Sequence, residues 1–152
     1  MSRLQIGGTE RPDFIAPARP PNTYLGIAEL LMPGLDALAS SKSTVGVPLA
    51  FLAAHTLECL LKAYISTAAG SDAKVRKGRI KHDLHELWKL AVSKGLPVSA
   101  SIPAWAENLS QLHGPPYFLR YSTGVHGLVT PAAQPMVSDL KALLEMVRQR
   151  VR

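Results

Sequence analysis

The chain has 152 residues, 47% of them apolar and 18% charged, which suits one folded domain and excludes a wholly disordered chain. Aromatic residues are only 6% and the apolar set is rich in Ala and Leu, which favours helices packed on helices. A net charge of +6 and a pI near 9.7 suit a polyanionic partner such as RNA or a nucleotide without specifying one.

Residues 1–22 hold Gly7, Gly8, Pro12, Pro17, Pro20 and Pro21 and are expected to form an extended arm; residues 23–152 are expected to form the folded domain. From Tyr24 to Ala39, Leu30, Leu31, Leu35 and Leu38 recur near helical spacing, with Pro33-Gly34 expected to kink or split the helix. The stretch "SSKSTVG" is a polar link. A second helix is expected from Val47 to Ala68, apolar on nearly every side and therefore central, with Pro48 tolerated in its first turn. His55, Glu58 and Lys62 interrupt its apolar run, so no membrane span is expected there. Cys59, the single cysteine, allows no internal disulfide and is expected in the core of a protein from a reducing compartment. No apolar run follows "MSR", so a cytoplasmic chain without a secretory signal is expected.

Residues 70–82, "GSDAKVRKGRIKH", carry Lys74, Arg76, Lys77, Arg79 and Lys81 and are expected as a basic loop, either solvated or in contact with phosphates. A third helix follows in "DLHELWKLAVSKG", opened by an Asp83–Glu86 capping box and stopped by Gly95. Its buried face is expected to be Leu84, Leu87, Trp88 and Ala91. Pro103 opens a short fourth helix ending near His113-Gly114, and 115–131 is irregular. The last helix runs from between Thr130 and Pro135 to about Arg150, with Met136, Leu140, Leu143, Leu144 and Val147 facing the core. The expected fold is all-α, a bundle of four to five helices.

Several constellations carry chemistry. His55, Glu58 and Lys62 lie within ~60° of one another around the second helix. They form either a satisfied polar seam or the wall of a pocket. His82 and His85 stand three apart at a helix start, beside Asp83 and Glu86, which the capping box already explains. Arg120 and His126 bracket "YSTGV", and Tyr117 and Tyr121 flank the arginine. A guanidinium holds two phosphate oxygens at once, and an imidazole moves a proton near neutral pH. No Gly-rich phosphate loop or Cys-x-x-Cys pair is present, and no cofactor or metal is called for.

Three segments together resemble the HEPN family of small helical RNA- and nucleotide-associated domains: "AFLAAHTLECLLKAYI" (50–65), "KHDLHELWKLA" (81–91) and "LRYSTGVHG" (119–127). The resemblance implies an up-and-down bundle, often a homodimer, that serves as a binding or interaction module, in some members within a toxin–antitoxin or defence pair with an antitoxin partner. In its nuclease members an Arg–His pair cleaves RNA without metal. Carried over by position, Arg120 holds the scissile phosphate and His126 acts on the ribose 2′-hydroxyl. Tyr121, Lys62 and Lys81 join Arg120 as candidate phosphate- or ligand-binding residues, with Glu58, His55 and His82 in support. The chain departs from the nuclease pattern at Tyr121, where a small polar residue is usual, and at Gly124 and Gly127. Members without nuclease activity keep an arginine followed by an aromatic here, and Glu58 is then its expected partner. The order His55, His82-Asp83, Asp139 also resembles the H…HD…D ligand set of metal-dependent HD phosphohydrolases.

Overall fold

The computed structural model describes residues 19–77, 79–121 and 127–152. Most of the expected arm, 1–18, lies outside them, and so do Ser122–His126. The described residues form helices and no strands: α1 (Asn22–Ala39), α2 (Gly46–Ser66), α3 (Asp72–Arg76), a 3-10 turn (Arg79–His82), α4 (Leu84–Ser93), α5 (Ala104–His113) and α6 (Ala133–Val151). The protein is an all-α helical bundle, as its composition leads one to expect.

α2 is the axis. It packs against α1, α3, α4, α5 and α6, and α1 and α6 also pack on each other. Leu57, Leu60, Leu61 and Ile65 of α2 are fully buried, and each such side chain contributes about 1.5–3 kcal/mol through the area it removes from water. By length and composition α2 is apolar enough to cross a membrane, but 78% of that stretch is buried inside the bundle. Its apolarity is that of a core helix.

α1 runs unbroken through Pro33-Gly34 instead of splitting there. Proline removes one backbone hydrogen bond and its ring crowds the preceding turn. Here the ring lies on the exposed side, while Leu25, Ala28, Met32 and Leu35 are buried on both sides of it. Packing on α2 and α6 holds the helix across the break, because most helix stability in a folded chain comes from such contacts.

The basic segment 70–82 is more ordered than a loop. Val75 is fully buried and anchors the single turn of α3 to the core. Arg76 pairs with Asp72 one turn back, at 2.6 Å. The 3-10 turn then delivers the chain to α4.

α4 begins and ends as its sequence dictates. The Asp83 carboxylate accepts the Glu86 N–H at 3.0 Å, satisfying one orphan donor of the first turn. At the far end Gly95 takes φ +96, a conformation that glycine adopts without strain, and Leu96 N–H closes back on Ala91 O at 3.0 Å. α5 starts after Pro103 and α6 ends at Val151, close to the expected bounds.

Candidate functional site

Three elements converge on the carboxylate of Glu58, which is only 4% exposed in the middle of α2. Lys62, one turn later on the same face, places its Nζ 2.6 Å from Oε1. α5 ends by inserting His113, 2% exposed, with Nε2 at 2.7 Å from Oε2. The 3-10 turn brings His82, whose Nδ1 lies 3.1 Å from each carboxylate oxygen. The two imidazoles meet edge to face, with ring centres 6.1 Å apart.

The charges of this group close on themselves. Burial pushes the Glu58 carboxyl up, but hydrogen bonds from His113 and Lys62, the Lys62 charge and the His82 hydrogen bond outweigh it and hold it at about 2. Glu58 is therefore ionised and balances the ammonium of Lys62. In its neutral form each imidazole donates one N–H to the carboxylate; these tautomers follow from the hydrogen-bond network. His113 Nδ1 is buried without a partner among the described residues, a cost the rest of the network has to offset. His55 stands beside the group. Burial lowers its pKa, Glu58 raises it, and His113, Arg120 and Lys62 lower it further, so the net direction is down.

His82 is the one member that reaches solvent, its side chain 33% exposed. It opens on a cavity of about 710 Å³ shared with Lys81, Ser110, Gln111, Gly114 and Tyr117. Asp83 also lines it, with its carboxylate engaged at the α4 cap. Glu58 holds Nδ1, so Nε2 is the nitrogen left for a ligand. Tyr117, at the rim, has φ 64, a region that strains a side chain with a Cβ. Its backbone is fixed there by Tyr117 N–H to Gly114 O at 2.7 Å and Tyr121 N–H to Tyr117 O at 3.0 Å. Strain retained at a cavity rim is a common mark of a ligand site.

Lys81 and His82 reach the cavity, next to each other on the 3-10 turn. Lys62 does not: its ammonium is buried and committed to Glu58, 5.9 Å from the ring centre of Tyr24. Arg120 is exposed, with its guanidinium carbon 6.0 Å from the centre of the Tyr117 ring. Glu58 is not its partner, since Lys62 and two histidines fill that carboxylate's coordination. Phe118 and Leu119 pack on the core just before Arg120, so the chain turns the arginine outward. Tyr121 is 62% exposed and meets Tyr117 edge to face. His126 lies outside the described residues, and the geometry of an Arg120–His126 pair with it.

His85 faces away from His82, toward Glu107, with Nδ1 2.7 Å from the carboxylate. The ligand set suggested by His55, His82-Asp83 and Asp139 does not gather. Asp83 caps α4, and Asp139 accepts the Trp105 Nε1–H at 2.8 Å on another face of the bundle. His82 gathers instead with Glu58 and His113, whose ligand atoms lie within 4.8 Å of one another. Two imidazoles and a carboxylate are a zinc-type set. Lys62 already neutralises that carboxylate, however, so a dication would enter with its charge unbalanced.

His113 is the residue that sequence reasoning passed over, as a mere helix end. Its signal was its position: it stands four after Leu109 and seven after Ala106, on the stripe that α5 buries. A histidine on a buried stripe needs a polar partner, and Glu58 supplies it.

The chain matches no family model, no curated protein and no solved structure.

Proposed function

We propose that this protein is a binding module for RNA or a nucleotide, with the ligand seated in the cavity beside His82. The observation that carries the reading is the pairing of Lys81 with an oriented His82 on the cavity wall. Lys81 offers a cation to a phosphate. In the neutral ring, the free Nε2 of His82 accepts a hydrogen bond from a ribose hydroxyl, which DNA lacks at the 2′ position. Tyr117 offers a ring at the rim, on which a base can stack. The net charge of +6 favours approach of a polyanion. The resemblance to HEPN domains, with the homodimer and the antitoxin partner it implies, agrees with this reading and is part of it.

The test is anisotropy of a short fluorescein-labelled single-stranded RNA and of the DNA of the same sequence, over a salt series. RNA bound more tightly than DNA, with Lys81→Ala weakening RNA and flattening the salt slope, supports the module. Equal, weak binding of both that ignores Lys81 overturns it.

A second reading is a metal-independent endoribonuclease using Arg120 and His126. What favours it is that Arg120 is exposed and has no carboxylate partner among the described residues, which leaves its guanidinium open to a phosphate. RNA cleavage that survives EDTA and is lost in both Arg120→Ala and His126→Ala establishes it.

A further inference from the structure

On another face of the bundle, α4, the α4–α5 link, the start of α5 and α6 line a cleft of about 240 Å³. Trp88 and Trp105 both line it, and they are the only tryptophans in the chain. Leu143, Met146 and Val98 add apolar surface. Among the described residues the single charged group in its lining is Asp139, a carboxylate in a protein whose net charge is +6. One oxygen of Asp139 is held by Trp105 Nε1–H at 2.8 Å. That bond fixes the indole against the carboxylate and leaves the other oxygen without a partner among the described residues. Trp88 Nε1–H is likewise spent, on Ser99 O at 3.0 Å.

Two indoles, apolar neighbours and one acid in the lining complement an organic cation. Indole is the ring that attracts cations most strongly, through the negative face of its π system. The carboxylate adds a direct charge contact. The lining also selects among cations. A primary ammonium brings three N–H donors that must find acceptors, and a guanidinium brings five. Among the described lining side chains the acceptors are the Asp139 carboxylate and the hydroxyls of Ser99 and Ser101, and the Ser99 hydroxyl already accepts Ser101 N–H at 3.2 Å. A quaternary ammonium has no donor to satisfy and presents methyl groups to the indoles. We propose that this cleft is a binding site for a small quaternary ammonium cation of the trimethylammonium-alkyl class. The site shares no lining residue with the His82 cavity, so it stands or falls independently of the RNA reading.

Because both tryptophans line the cleft, intrinsic fluorescence of the full chain reports its occupancy directly. Choline is the probe, and 3,3-dimethylbutan-1-ol, its neutral isostere, is the control; calorimetry repeats each titration. The expected result is saturable binding of choline with a Kd of about 1 mM, and the alcohol at least about tenfold weaker. Asp139→Asn keeps an oxygen for the Trp105 hydrogen bond and removes only the charge, so it should weaken choline about tenfold at unchanged Tm. Trp105→Leu should abolish saturation. Equal affinity for choline and the alcohol, an unaffected Asp139→Asn protein, or no saturation up to about 50 mM choline each overturns the proposal.

Discussion

His82 Nδ1 lies 3.1 Å from both carboxylate oxygens of Glu58, so a buried acid on α2 sets the orientation of a partly exposed imidazole that lines the cavity. Lys62 and His113 complete the acid's coordination from the core side. The consequence for the ring is a fixed tautomer, with the proton on Nδ1 and the lone pair on Nε2. In the neutral ring, nitrogen-15 NMR of the histidine side chains should show His82 as the Nδ1–H form. A Glu58→Gln protein should lose that preference, since an amide can donate as well as accept.

Removing the acid altogether exposes what it balances. Glu58→Ala leaves the Lys62 ammonium buried with no counter-charge and strips two imidazoles of their partner. A loss of about 3–5 kcal/mol is expected, the range for breaking one side of a buried pair. Urea denaturation measures it. A loss below about 1 kcal/mol, the worth of an exposed pair, would show that the group is far wetter than its burial indicates.

The same group sets the acid limit of the fold. Glu58 titrates at about 2 in the folded protein against a reference of 4.5. A depressed carboxylate contributes its stability above the unfolded value and loses it as pH falls through the folded one. Urea midpoints should therefore drop between about pH 4.5 and 2, and Glu58→Gln should remove most of that slope. His55 adds an earlier decline. Its folded pKa lies below 6.5, chiefly through burial, so the unfolded chain takes up its proton first and stability falls as pH drops below that value.

Cys59 should be inert. Burial, then the Glu58 charge, pushes its thiol up to about 12 against the lowering effect of Lys62, and only 3% of the residue is exposed. Ellman's reagent should leave the native protein unlabelled and label one thiol per chain in denaturant. Rapid labelling of the native protein would contradict this environment.

The α4 cap offers a quieter test. Asp83→Ala removes the acceptor for Glu86 N–H and should cost about 0.5–2 kcal/mol, while Asp83→Asn should cost less. Because Asp83 also borders the cavity, the alanine protein should bind RNA no worse than the parent once compared at equal folded fraction.

Local rules were enough to read α4 from the sequence. The Asp83 cap and the positive φ of Gly95 are set by residues within a few positions of each helix end. The central place of α2 was also legible, because a helix apolar on nearly every side has to be surrounded. α1 escaped the same reasoning. Pro33 is a local helix breaker, and only the buried residues on both sides of it, packed on α2 and α6, explain why the helix continues. Residues 70–82 read as a loop because their charge hid Val75, the one side chain that anchors α3.

The candidate site divides along the same line. The sequence by itself put Glu58 and Lys62 on one face, because residues four apart along a helix are neighbours, and the fold decided that Lys62 pairs with this carboxylate instead of reaching a ligand. The sequence could not determine which side chains would share that carboxylate. His82 and His113 stand 24 and 55 residues from Glu58, and only the docking of α5 and the 3-10 turn against α2 brings them to it. Tertiary packing likewise filled the acid's coordination, so that Arg120 faces out and Lys62 faces in. A buried charge accepts whichever partners the fold delivers, and that delivery is a property of the whole chain.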